Sequence, residues 1–316
     1  MNTESNPVPE SPLDAQGVAS AVMSATRPMY CSVRRELWEN RSIYIAPLAV
    51  AAIYLLGYLV SLFWLPRSIR ELGANHPVSE PMVALAMPYS HAAMLLMLTA
   101  FLVGVFYSLD ALHSERRDRS ILFWKSLPVS DLTTVLSKAS IPLVVLPLLV
   151  FAITVTLQVI MRLLSIAVLL LSGASAATLW NRLPLFQMEL VLLYGLTVLA
   201  LWHAPVYAWL LLVSGWARRA TFLWAVLPPL VIGVFEKIAF HTSYFGSLMH
   251  ERLGGFAAAA FDLKDKNGVT LDPHFIPLSQ LAPGRFLSSP GLWVGLIVAA
   301  ALLAAAVRLR RYQGPI

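Results

Sequence analysis

Six apolar runs, each close to the length that crosses a bilayer, constrain this chain more than any other feature. They cover residues 43–64, 87–109, 141–160, 190–213, 222–240 and 292–307. About 20 helical residues cross the roughly 30 Å of hydrocarbon in a membrane. With 58% hydrophobic and 13% charged residues, a chain of 316 residues has too little polar surface to cover a water-soluble globule. The sequence therefore predicts an all-α integral membrane protein with six transmembrane helices.

The apolar stretch 161–180, which follows the third run, leaves three arrangements open. It could lengthen the third transmembrane helix, form a re-entrant segment, or cross the membrane as a seventh helix. A seventh crossing would put the two ends of the chain on opposite sides.

The basic residues favour six crossings with both termini in the cytoplasm. With that arrangement, 14 of the 23 lysines and arginines lie on the cytoplasmic side, close to the ends of the apolar runs. We therefore expect a multi-pass protein of the plasma membrane, such as the inner membrane of a bacterium. Because the basic residues orient the chain in this way, we expect no nucleic-acid partner. The single cysteine, Cys31, excludes an intrachain disulfide and a cysteine-rich metal site.

The segments outside the apolar runs divide the chain further. Residues 1–26 are polar and rich in proline, which predicts a flexible cytoplasmic tail. In 27–41, Met29, Val33 and Leu37 recur every four residues, while Glu36 and its charged neighbours are assigned to the other side, which predicts an amphipathic helix at the membrane interface. A transmembrane domain at 42–309 and a cytoplasmic tail at 310–316 follow. Within that domain, the loop 241–290 is expected to form a compact cap on the outer face, with interfacial pieces such as 256–261.

The loop 110–138 is the longest charged interruption between the runs. Five consecutive charged residues open it, and an amphipathic stretch with Ile121, Trp124 and Leu127 follows. This order predicts a short surface helix, a turn at Leu127-Pro128, and a new helix capped by Ser130 or Asp131. We expect the loop to be a docking element for another protein.

Several residues suggest chemistry, and each also has a plainer interpretation. His250-Glu251 begins like a zinc-protease helix, but Gly254 stands where the second histidine ligand is needed. Ser175 and His203 are the residues that an intramembrane hydrolase would use, although small residues and single histidines are common in helix packing. Arg162 and the Glu236-Lys237 pair are expected to snorkel to the interface. We therefore assign no catalytic residue and no metal ligand.

The complete layout resembles the permease subunit of type-2 ATP-binding cassette transporters. The resemblance rests on the sequence from Glu115 to Leu122, followed by Ser126-Leu127-Pro128-Val129-Ser130 and by Lys138 at the start of the third run. It implies a cytoplasmic coupling helix that docks on a separate ATPase subunit. It further implies a second permease subunit, identical or different, and ATP-driven transport, usually export. The docking residues expected from it are Glu115, Arg116, Arg117, Asp118, Ile121, Phe123, Trp124, Leu127 and Pro128.

The chain contains no G-x-x-x-x-G-K-[ST] phosphate loop. We therefore expect a transporter subunit that is not itself an enzyme and holds no cofactor, with ATP and Mg²⁺ bound by the partner ATPase. Two alternatives remain: a membrane scaffold that recruits a cytoplasmic partner through the same loop, and an intramembrane hydrolase.

Overall fold

The computed structural model describes residues 26–65, 79–122, 129–173, 184–262 and 278–312. A π-helical turn covers Ile141–Val145, and a 3₁₀ turn covers Leu278–Gln280. In the described ranges there is no strand, and one isolated bridge joins Phe261 and Leu281. The helices are α1 (Thr26–Glu39), α2 (Ser42–Ser61), α3 (Ser79–Asp110), α4 (His113–Arg117), α5 (Asp131–Ser140), α6 (Leu146–Leu171), α7 (Leu185–Trp216), α8 (Thr221–Phe240), α9 (Tyr244–Gly254), α10 (Phe256–Ala260), α11 (Pro283–Ser288) and α12 (Pro290–Tyr312).

Within the described ranges, the prediction of six helices long and apolar enough to cross a membrane is confirmed. The six segments are Ser42–Ser61, Leu85–Arg117, Asp131–Leu171, Leu185–Trp216, Thr221–Phe240 and Pro290–Tyr312. Four of them extend well beyond the apolar runs because polar helical turns are added at their ends. The fold is therefore a helical bundle of the multi-pass membrane class.

The third segment is one long helical rod. It covers 41 residues from Asp131 to Leu171, or about 60 Å at 1.5 Å per residue. The π-helical turn at Ile141–Val145 contains Pro142, which lacks the N–H of a regular α-helical hydrogen bond. Residues 161–171 continue the same helix, so this part of the apolar stretch 161–180 lengthens the third helix. Residues 174–183 lie outside the described ranges.

Helix α7 is the centre of the bundle. It packs most extensively against α12 and also against α3. In the most apolar 18-residue stretch of α7, 67% of the residues are buried, against 6% in the corresponding stretch of α8. A Cβ atom at Gly104 of α3 would lie 3.0 Å from the ring of Tyr207 in α7, so a larger residue would displace this ring where the helices cross. Helix α8 is attached mainly by its first turns, where Trp209 Nε1 donates to the carbonyl of Ala225 at 3.0 Å.

Helix α1 confirms the helix predicted at 27–41, and its location at a membrane interface stays a prediction. Val33 and Leu37 pack against the bundle, whereas Tyr30 and Trp38 are exposed. The assignment of Glu36 to the charged outer face is wrong, because this side chain is 0% exposed. It lies three positions after Val33, and residues at that spacing share a face of a helix.

The segment after α8 turns back along the bundle. The carboxylate of Glu236 accepts hydrogen bonds from the backbone N–H groups of Tyr244 and Phe245 at 2.7 and 2.8 Å, and so caps the first turn of α9. At the other end of α9, the guanidinium of Arg252 lies 4.7 Å from the ring centre of Trp202 and donates to the Gly291 carbonyl at 2.7 Å.

Trp202 lies near the middle of the 32-residue helix α7, so α9 reaches inward along the bundle. This differs from the predicted cap lying wholly on the outer face. The sequence prediction did not include the contacts of Arg252 with the Trp202 ring and with backbone carbonyls, which are favourable for a guanidinium group. The predicted piece 256–261 also packs inward, since Ala260 and Phe261 are buried beside Trp202.

Candidate functional site

The start of the loop 110–138 is fixed against the end of α7. After α3 ends at Asp110, the backbone N–H groups of Leu112 and His113 both donate to the hydroxyl of Ser214, each at 2.9 Å. The ring of His113 also contacts the Ala217 carbonyl at 3.2 Å. This hydroxyl satisfies two N–H groups at the N-terminus of α4, where no intrahelical partner exists. The five-residue helix α4 is thereby held in place although it is too short to be stable alone.

Helix α4 turns Glu115 into the bundle, where it joins a group of charged side chains that we call the ion cluster. The Oε1 atoms of Glu115 and of Glu36 each contact the same two cationic nitrogens. Lys138 Nζ lies 2.8 Å from Glu36 and 3.1 Å from Glu115, and Arg35 Nη2 lies 2.7 and 3.0 Å from them. The four side chains therefore form a closed circle of ionic contacts in which positive and negative charges alternate. The members of the ion cluster are Arg35, Glu36, Glu115, Asp131, Lys138 and Arg310.

The second oxygen of each glutamate ties in further elements. Glu115 Oε2 accepts from Arg310, which also donates through Nε to Asp131 Oδ1 at 3.1 Å. Glu36 Oε2 accepts from the hydroxyl of Tyr107 at 2.8 Å. The ion cluster thus joins α1, α4, α5 and the last turns of α12, with α3 contributing Tyr107. Its partners lie up to 195 positions apart in the chain.

Most of these charges are withdrawn from solvent. The side chains of Glu36, Lys138, Glu115 and Arg310 are 0%, 2%, 5% and 4% exposed. Such charges are tolerated only when each has opposite charges and hydrogen-bond partners at short range. Burial alone would raise the pKa of Glu36, but Lys138 and Arg35 outweigh it and hold the pKa below its ordinary value. Glu36 is therefore ionised at neutral pH.

Three of the predicted docking residues are turned inward. Glu115 and Arg116 are 5% and 7% exposed, and Ile121 is 2% exposed. Arg116 donates to the Gly215 carbonyl at the end of α7. In this structure these three side chains are therefore covered, and their role in docking stays a prediction. The physical reason is that cations and apolar surface from distant helices cover these side chains.

Two predicted docking residues do face solvent. Arg117 and Asp118 are 61% and 60% exposed and contact each other at 3.1 Å. Arg119 follows with a φ of 58°, which ends α4, and a new helical turn begins at Ser120. The exposed apolar side chain here is Leu122, at 58%. Phe123, Trp124, Leu127 and Pro128 lie outside the described residues, and their role in docking stays a prediction.

The helix predicted to begin at the end of the loop, after Ser130 or Asp131, is confirmed. Ser130 is the N-cap of α5, and its hydroxyl accepts from the Thr133 N–H at 3.0 Å. Asp131, the other predicted cap, lies in the first turn and binds Arg310 instead. The predicted cap and the ion cluster are therefore adjacent, so Asp131 near the end of the loop 110–138 and Glu115 near its beginning are held by the same group of charges.

No family model, no curated protein and no solved structure matches this chain. The geometry of the described residues and the sequence motif therefore carry the functional argument.

Other candidate chemistry receives no added support. No group of three or more potential metal ligands occurs in the part of the chain that the structure describes. Both ring nitrogens of His203 face backbone carbonyls, those of Leu199 at 2.9 Å and Leu253 at 3.4 Å. Ser175 lies outside the described residues. His203 is therefore engaged in packing between α7 and α9.

The sequence interpretation did not identify Arg35, Glu36 and Arg310 as parts of one site. A signal was present for Glu36, which shares the helical face of Val33 and Leu37. Nothing local pointed to Arg310, because basic residues after a last transmembrane helix are ordinary orientation signals.

Proposed function

We propose that this chain is the permease subunit of an ATP-driven exporter, energised by a separate ATPase that docks on the loop 110–138. The observation that carries the proposal is the ion cluster. A loop that only connects two helices needs no buried ionic attachment to elements outside it. Here the loop is held at Glu115 and at Asp131, on both sides of its centre, by charges from α1 and α12.

This attachment provides a route for mechanical coupling. A displacement of α4 moves the carboxylate of Glu115, and that carboxylate holds Lys138 in the third transmembrane helix and Arg310 in the last. Short ionic contacts in a dry site resist separation, so the helices follow the loop rather than letting it swing freely. The exposed face with Arg117, Asp118 and Leu122 remains available for the ATPase.

A π-helical turn lies directly after Lys138 in the same rod. Such turns interrupt the regular hydrogen-bond ladder and are frequent at functional sites in helices. In the proposed mechanism, the turn at Ile141–Val145 allows α5 to move with the loop while α6 stays packed in the bundle.

The proposal extends to the assembly and its setting. Two permease subunits pair, each carries an ATPase on its cytoplasmic side, and both termini of the chain lie in the cytoplasm at the plasma membrane. ATP and Mg²⁺ are held by the ATPase. The second candidate, a scaffold that recruits a cytoplasmic partner without transport, is supported by the same exposed face, but it gives the buried ion cluster no function beyond stability.

The docking test uses two side chains from the loop and one from outside it. Trp124→Ala combined with Leu127→Ala should weaken association with the ATPase by more than about tenfold, because large aromatic side chains contribute most of the binding energy at interfaces. Trp38→Ala, which truncates a tryptophan that is 70% exposed on α1, is the matched control and should leave association unchanged. Tagged variants are purified from membranes, and the co-purifying protein with a phosphate loop is quantified by mass spectrometry.

ATP turnover then separates the two candidates. A permease should alter the turnover of the associated ATPase in lipid, and Lys138→Met should abolish that effect without releasing the ATPase. A scaffold predicts the same turnover with wild type and variant. Wild-type association of the Trp124 and Leu127 double variant, at normal expression, would remove the docking role of the loop.

A further inference from the structure

A cavity of about 500 Å³ lies between α2 and α3, in the half of the bundle remote from the ion cluster. From α2 it is lined by Ile53, Gly57 and Ser61, and from α3 by Met87, His91 and Leu95. This volume is within the range of sites for small molecules and cofactors. No step of the proposed coupling uses the cavity.

Hydrogen bonds to neighbouring helices fix two tyrosines in its walls. Tyr54 and Tyr58 line the cavity, and their hydroxyls bind the Pro88 carbonyl and the Ser165 hydroxyl, each at 2.6 Å. The ring of Tyr58 also packs edge-on against Tyr89 at 6.3 Å between centroids. The two tyrosine rings therefore cannot rotate into the space without losing these bonds, so the cavity is preformed.

The space reaches the surface through Gly57. A Cβ atom at this position would have nothing within 4 Å. Two of the side chains at the rim, Ile53 and Leu95, are 70% and 40% exposed. They lie within membrane-length helices, so the solvent at this opening is the hydrocarbon of the bilayer. An apolar opening of this kind excludes water and is filled from the membrane.

The lining changes from apolar to polar along the axis of α2. Ile53 and Ser61 are eight positions apart, which is about 12 Å along a helix, and Ser61 is the last residue of α2. Because the 20 residues of α2 span about the thickness of the hydrocarbon, Ser61 lies near the level of the lipid headgroups and Ile53 lies deep. Leu95 is deep on the opposite wall, and His91 lies between the two levels.

We propose that this cavity binds one acyl chain of a membrane glycerophospholipid. The chain lies against Gly57 and ends between Ile53 and Leu95. The ester and phosphate oxygens of the same lipid lie at the polar end of the cavity, which is lined by Ser61 and His91. The proposal does not depend on the docked ATPase, so either proposal can fail without the other.

The test measures crosslinking of a photoactivatable lipid to the chain. The purified protein is reconstituted in phosphatidylethanolamine vesicles that contain a trace of phosphatidylcholine with a diazirine at the end of one acyl chain. After illumination, the labelled peptides are identified by mass spectrometry. We expect labelling concentrated on the peptides with Ile53 and Leu95. Equal labelling of the exposed lipid-facing residues Leu230 and Ile232 on α8 would mean general lipid contact only and would overturn the proposal.

Filling the cavity supplies the decisive variant. Gly57→Leu places a side chain in the open space and should reduce labelling of α2 and α3 by about tenfold. Ala52→Leu is the matched control, because Ala52 is exposed on the same helix outside the lining and should label as wild type. Leu95→Trp fills the cavity from the other wall and should give the same loss as Gly57→Leu. Unchanged labelling in both filled variants, each eluting as a folded protein, would overturn the site.

A second probe tests recognition of the polar end. A diazirine-bearing alkane without a headgroup should label the cavity more weakly than the phospholipid probe. Ser61→Ala combined with His91→Leu should remove that difference. If the alkane labels the wild-type cavity as strongly as the phospholipid does, the site takes plain hydrocarbon and the proposed lipid contact with Ser61 and His91 is wrong.

Discussion

Replacing Lys138 with methionine tests the ion cluster most directly. Methionine keeps the length of the side chain but removes the charge that lies 2.8 Å from Glu36 and 3.1 Å from Glu115. The two carboxylates are then bridged at Oε1 by Arg35 alone. Removing one partner from a buried ionic group costs about 3–5 kcal/mol, because the remaining charge is left partly uncompensated. We expect Lys138→Met to lower the free energy of unfolding by about that amount.

Equilibrium unfolding in mixed micelles with increasing dodecyl sulfate, followed by tryptophan fluorescence, measures this loss. A double-mutant cycle with Glu36→Gln isolates the pair. The amide still accepts a hydrogen bond from Arg35 or Tyr107, so the double variant should be more stable than the sum of the single effects predicts, by about 0.5–3 kcal/mol. Asp118→Asn is the control, because Asp118 pairs with Arg117 at the exposed surface, and no resolvable change is expected.

Two results would refute this reasoning. If Lys138→Met unfolds at the wild-type detergent fraction, water or another cation already compensates Glu36 and Glu115, and the ion cluster is not the dry site that the burial values indicate. If the effects of Lys138→Met and Glu36→Gln are additive, the two side chains do not interact energetically despite their 2.8 Å contact.

Three further predictions concern topology, energetics and pH. With the exposed Cys31 replaced by serine, single cysteines at positions 5, 120 and 313 should react with a cytoplasmic label and one at 264 should not; protection of position 313 alone would mean an odd number of crossings. The purified chain alone should hydrolyse no ATP, and turnover by a preparation free of other ATPases would contradict the permease proposal. Because the pKa of Glu36 is lowered by folding, its contribution to stability is present above its unfolded value of about 4.3 and is lost as the pH falls further. Glu36→Gln should therefore flatten the acid limb of the stability profile, and an unchanged limb would show that Glu36 does not titrate there.

The membrane-spanning helices could be predicted because their signal is local. Each apolar run is recognisable without knowing its neighbours, and the Ser130 cap follows from a few adjacent residues. The ends of the helices were harder to predict. Polar turns such as 308–312 continue a helix beyond the hydrocarbon, where hydropathy no longer reports on secondary structure.

The ion cluster could not be predicted because it joins residues remote from one another in the chain. Glu36, Glu115 and Arg310 each look like an ordinary charge at the end of an apolar segment, and only the packing of α1, α4 and α12 brings them together. Arg252 shows the same limit, because its contact with Trp202 depends on α9 turning back along the bundle. In both cases a charge that sequence reasoning places at the surface is covered by a distant helix.

The contact between Glu115 and Arg310 also sets an order of assembly. The two residues are 195 positions apart, so Arg310 is made after Glu115. At about 5–20 residues per second, the ribosome needs roughly 10–40 s to synthesise the intervening chain. During that time the glutamate lacks one of its cations and α12 is absent. A chain that stops before α12 would keep this charge only partly neutralised, so an unfinished chain differs chemically from one that includes α12.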